Sequence, residues 1–255
     1  ESISNNIPNR TLVWRFVQDH VKKDLFFLAT EFGIYTSLNA GGNWQKLPGS
    51  PTISFRDIEI QERENDLVGA SFGRGFFVLD DYSALREMTP ENLSKKGKLF
   101  KPRDAKLFKP RNSLGNTGGQ FYTAKNPEYG AVFTYNLNDV PKTSKSLRMQ
   151  RERRLNTDNK DIPFPGYDKL SDEMNEKPAS IILTIKDSDG NHIRNVKKNA
   201  SNGSSRIAWN LRHQSYYPIR AGRGQVNSWF NPSGPYVTPG EYHAEIYLEN
   251  NGSVE

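Results

Sequence analysis

The chain has no cysteine among its 255 residues. That excludes disulfide staples, thiolate nucleophiles and Cys-ligated zinc, and it leaves the compartment open, because large secreted proteins often do without cysteine. Long apolar runs are also missing. Apolar residues make up 35% of the chain, and no stretch nears the roughly eighteen needed for a membrane-spanning helix. Histidine is scarce. His20, His192, His213 and His243 show neither His-x-x-His nor His-Glu-x-x-His spacing, so no metal site is expected. The chain starts at Glu1 with neither Met nor a signal-like segment, and reads as a mature protein or a piece of a longer one. Its length suits one large domain or two medium ones, either able to bury a core unaided.

The net charge of +6 is unevenly placed. Lys95, Lys96, Lys98, Lys101, Arg103, Lys106, Lys109 and Arg111 face Asp104 alone, so the excess sits on one stretch broken by Pro102 and Pro110. A basic surface for a phosphate backbone would be larger and interleaved with aromatics. The stretch reads as a solvated connector, and no nucleic-acid partner is expected.

Residues 1–90 read as short strands. Residues 12–17, 24–30, 34–37, 44–47, 55–60, 66–71 and 75–80 are aromatic or β-branched runs separated by Gly and Asn turns. Asp24-Leu25 aligns with Asp66-Leu67, an internal period of about 40 to 45 residues, which is the spacing of propeller blades. Within this region Ser37-Leu38-Asn39-Ala40-Gly41-Gly42-Asn43-Trp44 resembles the Asp-box, Ser-x-Asp-x-Gly-x-x-Trp, of sialidase-type and sortilin-type propellers. In this octad Ser37 and Asn39 are placed to cap turn amides, Gly41 relaxes the backbone, and Trp44 is placed to cover the hairpin. The Asp-box is structural in that family, so it implies a fold rather than an activity. Residues 66–81 resemble the closing blade of the same bacterial proteins, with Ser71-Phe72-Gly73-Arg74-Gly75 where they carry Thr-His-Gly-Arg-Gly. Phe72 removes the histidine of that motif, and Arg74 remains as a candidate ligand contact. Two blades do not close a propeller, so further blades upstream in the same protein are the expected partners.

A second strand system follows the connector. Residues 130–137, 179–186, 192–196, 206–211 and 240–248 read as strands, and Tyr242, Ala244, Ile246 and Leu248 alternate for one buried face. Residues 138–178 read as a long insertion with at most a short helix near 170–175. The order of strands and turns resembles the immunoglobulin-like modules of bacterial extracellular proteins. Residues 121–131, 164–168 and 209–212 resemble the region that follows the propeller in bacterial sortilin-like or BNR-repeat glycosyl-hydrolase-like proteins.

The expected architecture is therefore all-β: terminal β-propeller blades of an incomplete propeller in 1–90, a basic connector in 91–118, and an immunoglobulin-like β-sandwich with long insertions in 119–255.

Chemistry-bearing candidates are few. Asp187-Ser188-Asp189-Gly190 mimics the opening of a calcium loop, but the twelfth position is Lys198, so a plain hairpin turn is expected. Glu31, Asp57 and Glu59 are the carboxylates that a glycosidase could pair across a cleft. Arg10, Arg74 and Tyr35 are fragments of what a sialidase site would need. Tyr216, Trp229 and Tyr236 lie in a Gly/Pro-rich loop, where they either pin the loop or stack on a ligand. No catalytic residue and no cofactor is assigned. The expected function is non-catalytic recognition or scaffolding in a larger extracytoplasmic bacterial protein, with a glycan or a protein surface as partner. The alternative, implied by the resemblance, is an accessory region of a glycoside hydrolase.

Overall fold

The structure, a computed structural model, describes residues 6–109, 124, 126–215 and 233–254. The chain divides into two compact units, Glu1–Ser94 with Phe100–Arg103, and Lys95–Leu99 with Asp104–Glu255.

Unit 1 holds two antiparallel meanders. The first runs β1 (Val13–Gln18), β2 (Phe26–Thr30), β3 (Gly33–Ser37) and β4 (Gln45–Lys46), and the second runs β5 (Phe55–Gln61), β6 (Asp66–Ser71) and β7 (Phe76–Leu79), each in sequence order. The run Phe26-Phe27-Leu28-Ala29-Thr30 is apolar on both faces because β2 is an inner strand, covered on both sides. Both meanders feed one core of Leu25, Phe27, Ala29, Ile34, Phe55, Ile58, Leu67 and Tyr82. Gly69 is what lets the two approach. A Cβ there would meet Ile34 Cδ1 and Phe55 Cδ1 at 2.9 Å. A 3₁₀ turn (Ser83–Arg86) and α1 (Pro90–Ser94) close the unit, where Ala84, Met88 and Phe100 form a small second cluster.

A buried charge locks that turn in place. The Asp19 side chain is fully shielded from solvent and bonds Arg86 through Nε at 2.9 Å and Nη2 at 2.8 Å. It also accepts from the Tyr82 hydroxyl at 2.6 Å and from the Val21 and Lys22 amides. Arg86 continues to Asn65 Oδ1 at 2.6 Å. A buried carboxylate with its lone pairs filled in this way is held rather than strained.

Unit 2 holds β8 (Gly97–Leu99), β9 (Ala131–Leu137), α2 (Ser144–Thr157), α3 (Tyr167–Asn175), β10 (Ser180–Asp187), β11 (His192–Asn199), β12 (Gly203–Trp209), β13 (Tyr242–Asn250) and β14 (Ser253–Val254). They form two sheets, β12-β9-β8 and β11-β10-β13-β14. Phe133, Tyr135, Ile181, Leu183, Ile185, Ile207 and Trp209 make the shared core. Gly130 is forced by a close approach, since a Cβ there would lie 2.0 Å from the Trp209 carbonyl oxygen.

The all-β expectation is corrected. The fold is mixed α/β, with four separate open sheets and two substantial helices. The α2 helix arises where a loop was expected, and α3 extends the short helix expected near 170–175. Residues 144–157 are rich in Arg, Lys, Gln, Leu and Met, all strong helix formers. Thr143 caps the start by accepting from the Ser146 amide at 3.2 Å. Neither helix buries a residue, so the apolar periodicity that normally betrays a helix is weak in α2. Arg148 links the two instead, pairing with Glu173 of α3 as well as with Glu152 of its own helix, each at 2.8 Å.

The propeller expectation falls as well. The meanders of unit 1 are open sheets of four and three strands and do not close into a ring. Upstream propeller blades are consequently withdrawn as the partner. In unit 2 the link from β9 to β10 runs through the two helices, and its two sheets remain separate and open in place of the expected immunoglobulin-like sandwich. No helix among the described residues is long and apolar enough to cross a membrane.

Candidate functional site

Two strand irregularities build the most exposed aromatic surface of unit 1. The β1–β2 register shifts between Val13 and Arg15, and the β5–β6 register shifts between Phe55 and Asp57. Each shift frees one extra residue, Trp14 and Arg56, and bulges of this kind re-aim a side chain away from its ladder. The two meet: Arg56 Cζ lies 3.6 Å over the Trp14 ring and 5.0 Å over that of Phe72. The Phe72 amide donates to the Ser54 carbonyl at 2.8 Å, which fixes the β6–β7 turn against the start of β5. Trp14 is 40% exposed, Phe72 69% and Phe76 79%. Among the described residues the Arg56 guanidinium makes no hydrogen bond or ion pair, so its donors face outward while its plane is stacked. Such stacking contributes about 0.5–1 kcal/mol at an exposed site and presents the guanidinium in a set orientation.

Arg74 lies in the same β6–β7 turn, exposed and without a partner among the described residues. Glu31 is used structurally: its Oε1 accepts from the Leu12 amide at 3.0 Å and its own amide donates to the Leu12 carbonyl at 3.2 Å. Asp57 and Glu59 are both taken by Arg15, at 3.4 Å and 2.6 Å, in an exposed cluster. No hydrogen bond, ion pair or ring contact joins Arg10, Arg74 and Tyr35 among the described residues.

The turn that resembles an Asp-box is built from the expected groups. Ser37 Oγ donates to Asn39 Oδ1 at 2.9 Å and accepts from the Gly41 amide at 2.9 Å. Asn39 Oδ1 also accepts from the Asn43 amide at 2.8 Å. Ala40 and Gly41 both have positive φ, 55° and 86°. Trp44 is buried beside Phe26, with its amide donating to Asn6 Oδ1. Ser37 Oγ and Asn39 Oδ1 are thus both used within the turn.

In unit 2, Tyr236 is 42% exposed and pairs with Arg212 in an isolated bridge. Arg212 Cζ stacks 3.6 Å over its ring and Arg212 Nη1 donates to the Gly234 carbonyl at 2.9 Å. Tyr129 touches Tyr236 edge-on at 6.3 Å and Phe108 at 5.1 Å. The other two residues of that expected patch, Tyr216 and Trp229, lie outside the described residues. Asp187 closes a hairpin turn, accepting from the Asp189 and Asn191 amides and the Asn191 side chain. The described residues hold no cluster of three or more potential metal ligands.

Structural partners set the ionisation of several acids. Burial alone would raise Asp19, but Arg86, the Lys22 amide and Tyr82 together hold it at about 2. Burial and the Asp19 charge push Tyr82 well above its usual value. Hydrogen bonds from Arg148 lower Glu173, those from Asn191 lower Asp187, those from Lys186 lower Glu245, and those from Lys197 lower Glu249. A general acid needs a carboxyl displaced upward, and each of these is displaced downward.

Trp14 and Arg56 escaped the sequence reading because a bulge has no composition of its own. No family model, curated protein or solved structure matches the chain. The likeness of residues 37–44 to an Asp-box therefore stands on those residues alone.

Proposed function

We propose that the chain is a non-catalytic recognition or scaffolding part of a larger extracytoplasmic bacterial protein, and that it binds through the Trp14–Arg56–Phe72 end of unit 1. The observation that carries this reading is the stacked Arg56 with idle donors, set among exposed rings. Holding an arginine flat on an indole without using its hydrogen bonds gives the fold little, but prepares a contact for a ligand with an apolar face and an acceptor group. The carboxylates that would have served a hydrolase support the same reading. Glu31, Asp57 and Glu59 are committed to an amide and to Arg15.

The test pairs a binding screen with a turnover screen. The protein is titrated against acidic and neutral oligosaccharides and peptides, then assayed on aryl glycosides. A ligand whose affinity falls tenfold or more in Trp14→Ala and Phe72→Ala, with no turnover, is the expected result. Glycoside turnover that disappears in Glu31→Gln or Asp57→Asn would overturn the reading.

A further inference from the structure

The β7 strand is the open edge of its sheet, and its free side can be assigned residue by residue. The Ser71 amide donates to the Gly75 carbonyl at 3.0 Å, and the Phe72 amide donates to Ser54 on the other side. Ser71 and Gly75 are therefore a hydrogen-bonded position of the β6–β7 hairpin. Counting along the register of the hairpin, Gly69 with Phe77 and Leu67 with Leu79 are bonded positions too. The amides and carbonyls of Phe76 and Val78 consequently point away from β6, to a side where no second strand lies among the described residues.

This edge lacks the usual protection. Natural edge strands carry a charge, a proline or a bulge that discourages pairing. β7 reads Phe-Phe-Val-Leu, with Phe76 79% and Val78 53% exposed. Phe77 turns inward to Phe55 at 5.3 Å, so the exposed pair shares the outer face. The charges stand at the two ends: Arg74 before the strand and Asp80 after it, both without a partner among the described residues.

That pattern is complementary to itself. We infer that a second copy of this chain pairs antiparallel along β7 across a two-fold axis, joining two three-stranded sheets into one of six. The outward groups allow a single register that uses all of them. Phe76 faces Val78 of the second copy, Val78 faces its Phe76, and Phe77 lies at the axis. Arg74 then comes beside Asp80 of the second copy, and Asp80 beside its Arg74. The isologous contact is closed, so it ends at a dimer instead of a fibre. The paired strands are short, so the dimer is weak and depends on concentration.

Sedimentation equilibrium on the whole protein, from micromolar to near-millimolar concentration, tests this directly. A monomer–dimer equilibrium is expected. Val78→Pro removes an outward amide that β6 does not use, so it should keep the circular dichroism of the native protein and weaken the dimer by tenfold or more. Arg74→Asp and Asp80→Arg should each weaken it at low salt by about tenfold through like-charge contact, and the double exchange should restore it. A monomer at every concentration overturns the inference. So does a dimer indifferent to Val78→Pro, or one in which the double exchange fails to rescue. Trp14→Ala separates this surface from the ligand-binding one: it should leave dimerisation unchanged, whatever it does to ligand binding.

Discussion

Asp19 shows how one residue can govern the behaviour of a unit. Its folded pKa of about 2 lies below the ordinary 3.8, so its ionised form stabilises the fold. That contribution, about 2 kcal/mol, is complete above roughly pH 4 and disappears as pH falls through 2. Acid unfolding followed by circular dichroism should show this limb, and Asp19→Asn should flatten it. The same substitution leaves Arg86 facing a neutral amide in a shielded site, and should cost about 3–5 kcal/mol in urea unfolding at neutral pH. A variant that unfolds within 1 kcal/mol of the native protein at neutral pH would show the network to be idle. Nothing in the sequence marked this residue. A lone aspartate between Gln18 and His20 looks like solvated turn chemistry, and only the fold brings Tyr82 and Arg86 to it.

At the scale of elements, legibility depended on whether the stabilising contacts were local. The turn from Ser37 to Trp44 was readable because the side-chain bonds of Ser37 and Asn39 run between residues two to four positions apart. Asn39 accepts two of them, so Asn39→Ala should destabilise unit 1 by about 1–2 kcal/mol, and Asn39→Asp, which keeps both acceptor positions, should not. Thermal unfolding of the pair decides this. Equal losses in the two variants would mean that the turn is held by Trp44 and the glycine backbone alone. The α2 helix was not readable, because it buries no residue and its tie to α3 is one salt bridge across a 25-residue separation, Arg148 to Glu173, whereas the end of α3 was legible as the short helix near 170–175. A charge-rich stretch without an apolar stripe looks like a loop until its partner is known. Strands such as β9 and β10 were legible as strands, but the sheet each joins was not, since register and neighbour order are decided by distant residues.

For the whole molecule, the notable fact is how the chain shares itself between units. Gly97–Leu99 forms β8 beside β9 in unit 2, whereas Phe100, next in sequence, is 1% exposed and packs with Ala84 and Met88 in unit 1. The lysines and prolines around these residues made the stretch look like connector only. Phe100→Ala should therefore cost unit 1 about 3–5 kcal/mol, as for any large buried ring. Differential scanning calorimetry should register it as a lowered midpoint. An unchanged thermogram would place Phe100 outside the cooperative core. The excursion through α2 and α3 has the opposite character, since it buries nothing. A backbone cut between the two helices would divide the polypeptide into one fragment ending after β9 and another beginning before β10. The β9–β12 ladder, from Ala131 opposite Trp209 to Leu137 opposite Gly203, would then have to form between separate chains. The protein thus carries within it a natural seam for reassembly from two halves, with the core of unit 2 as the adhesive.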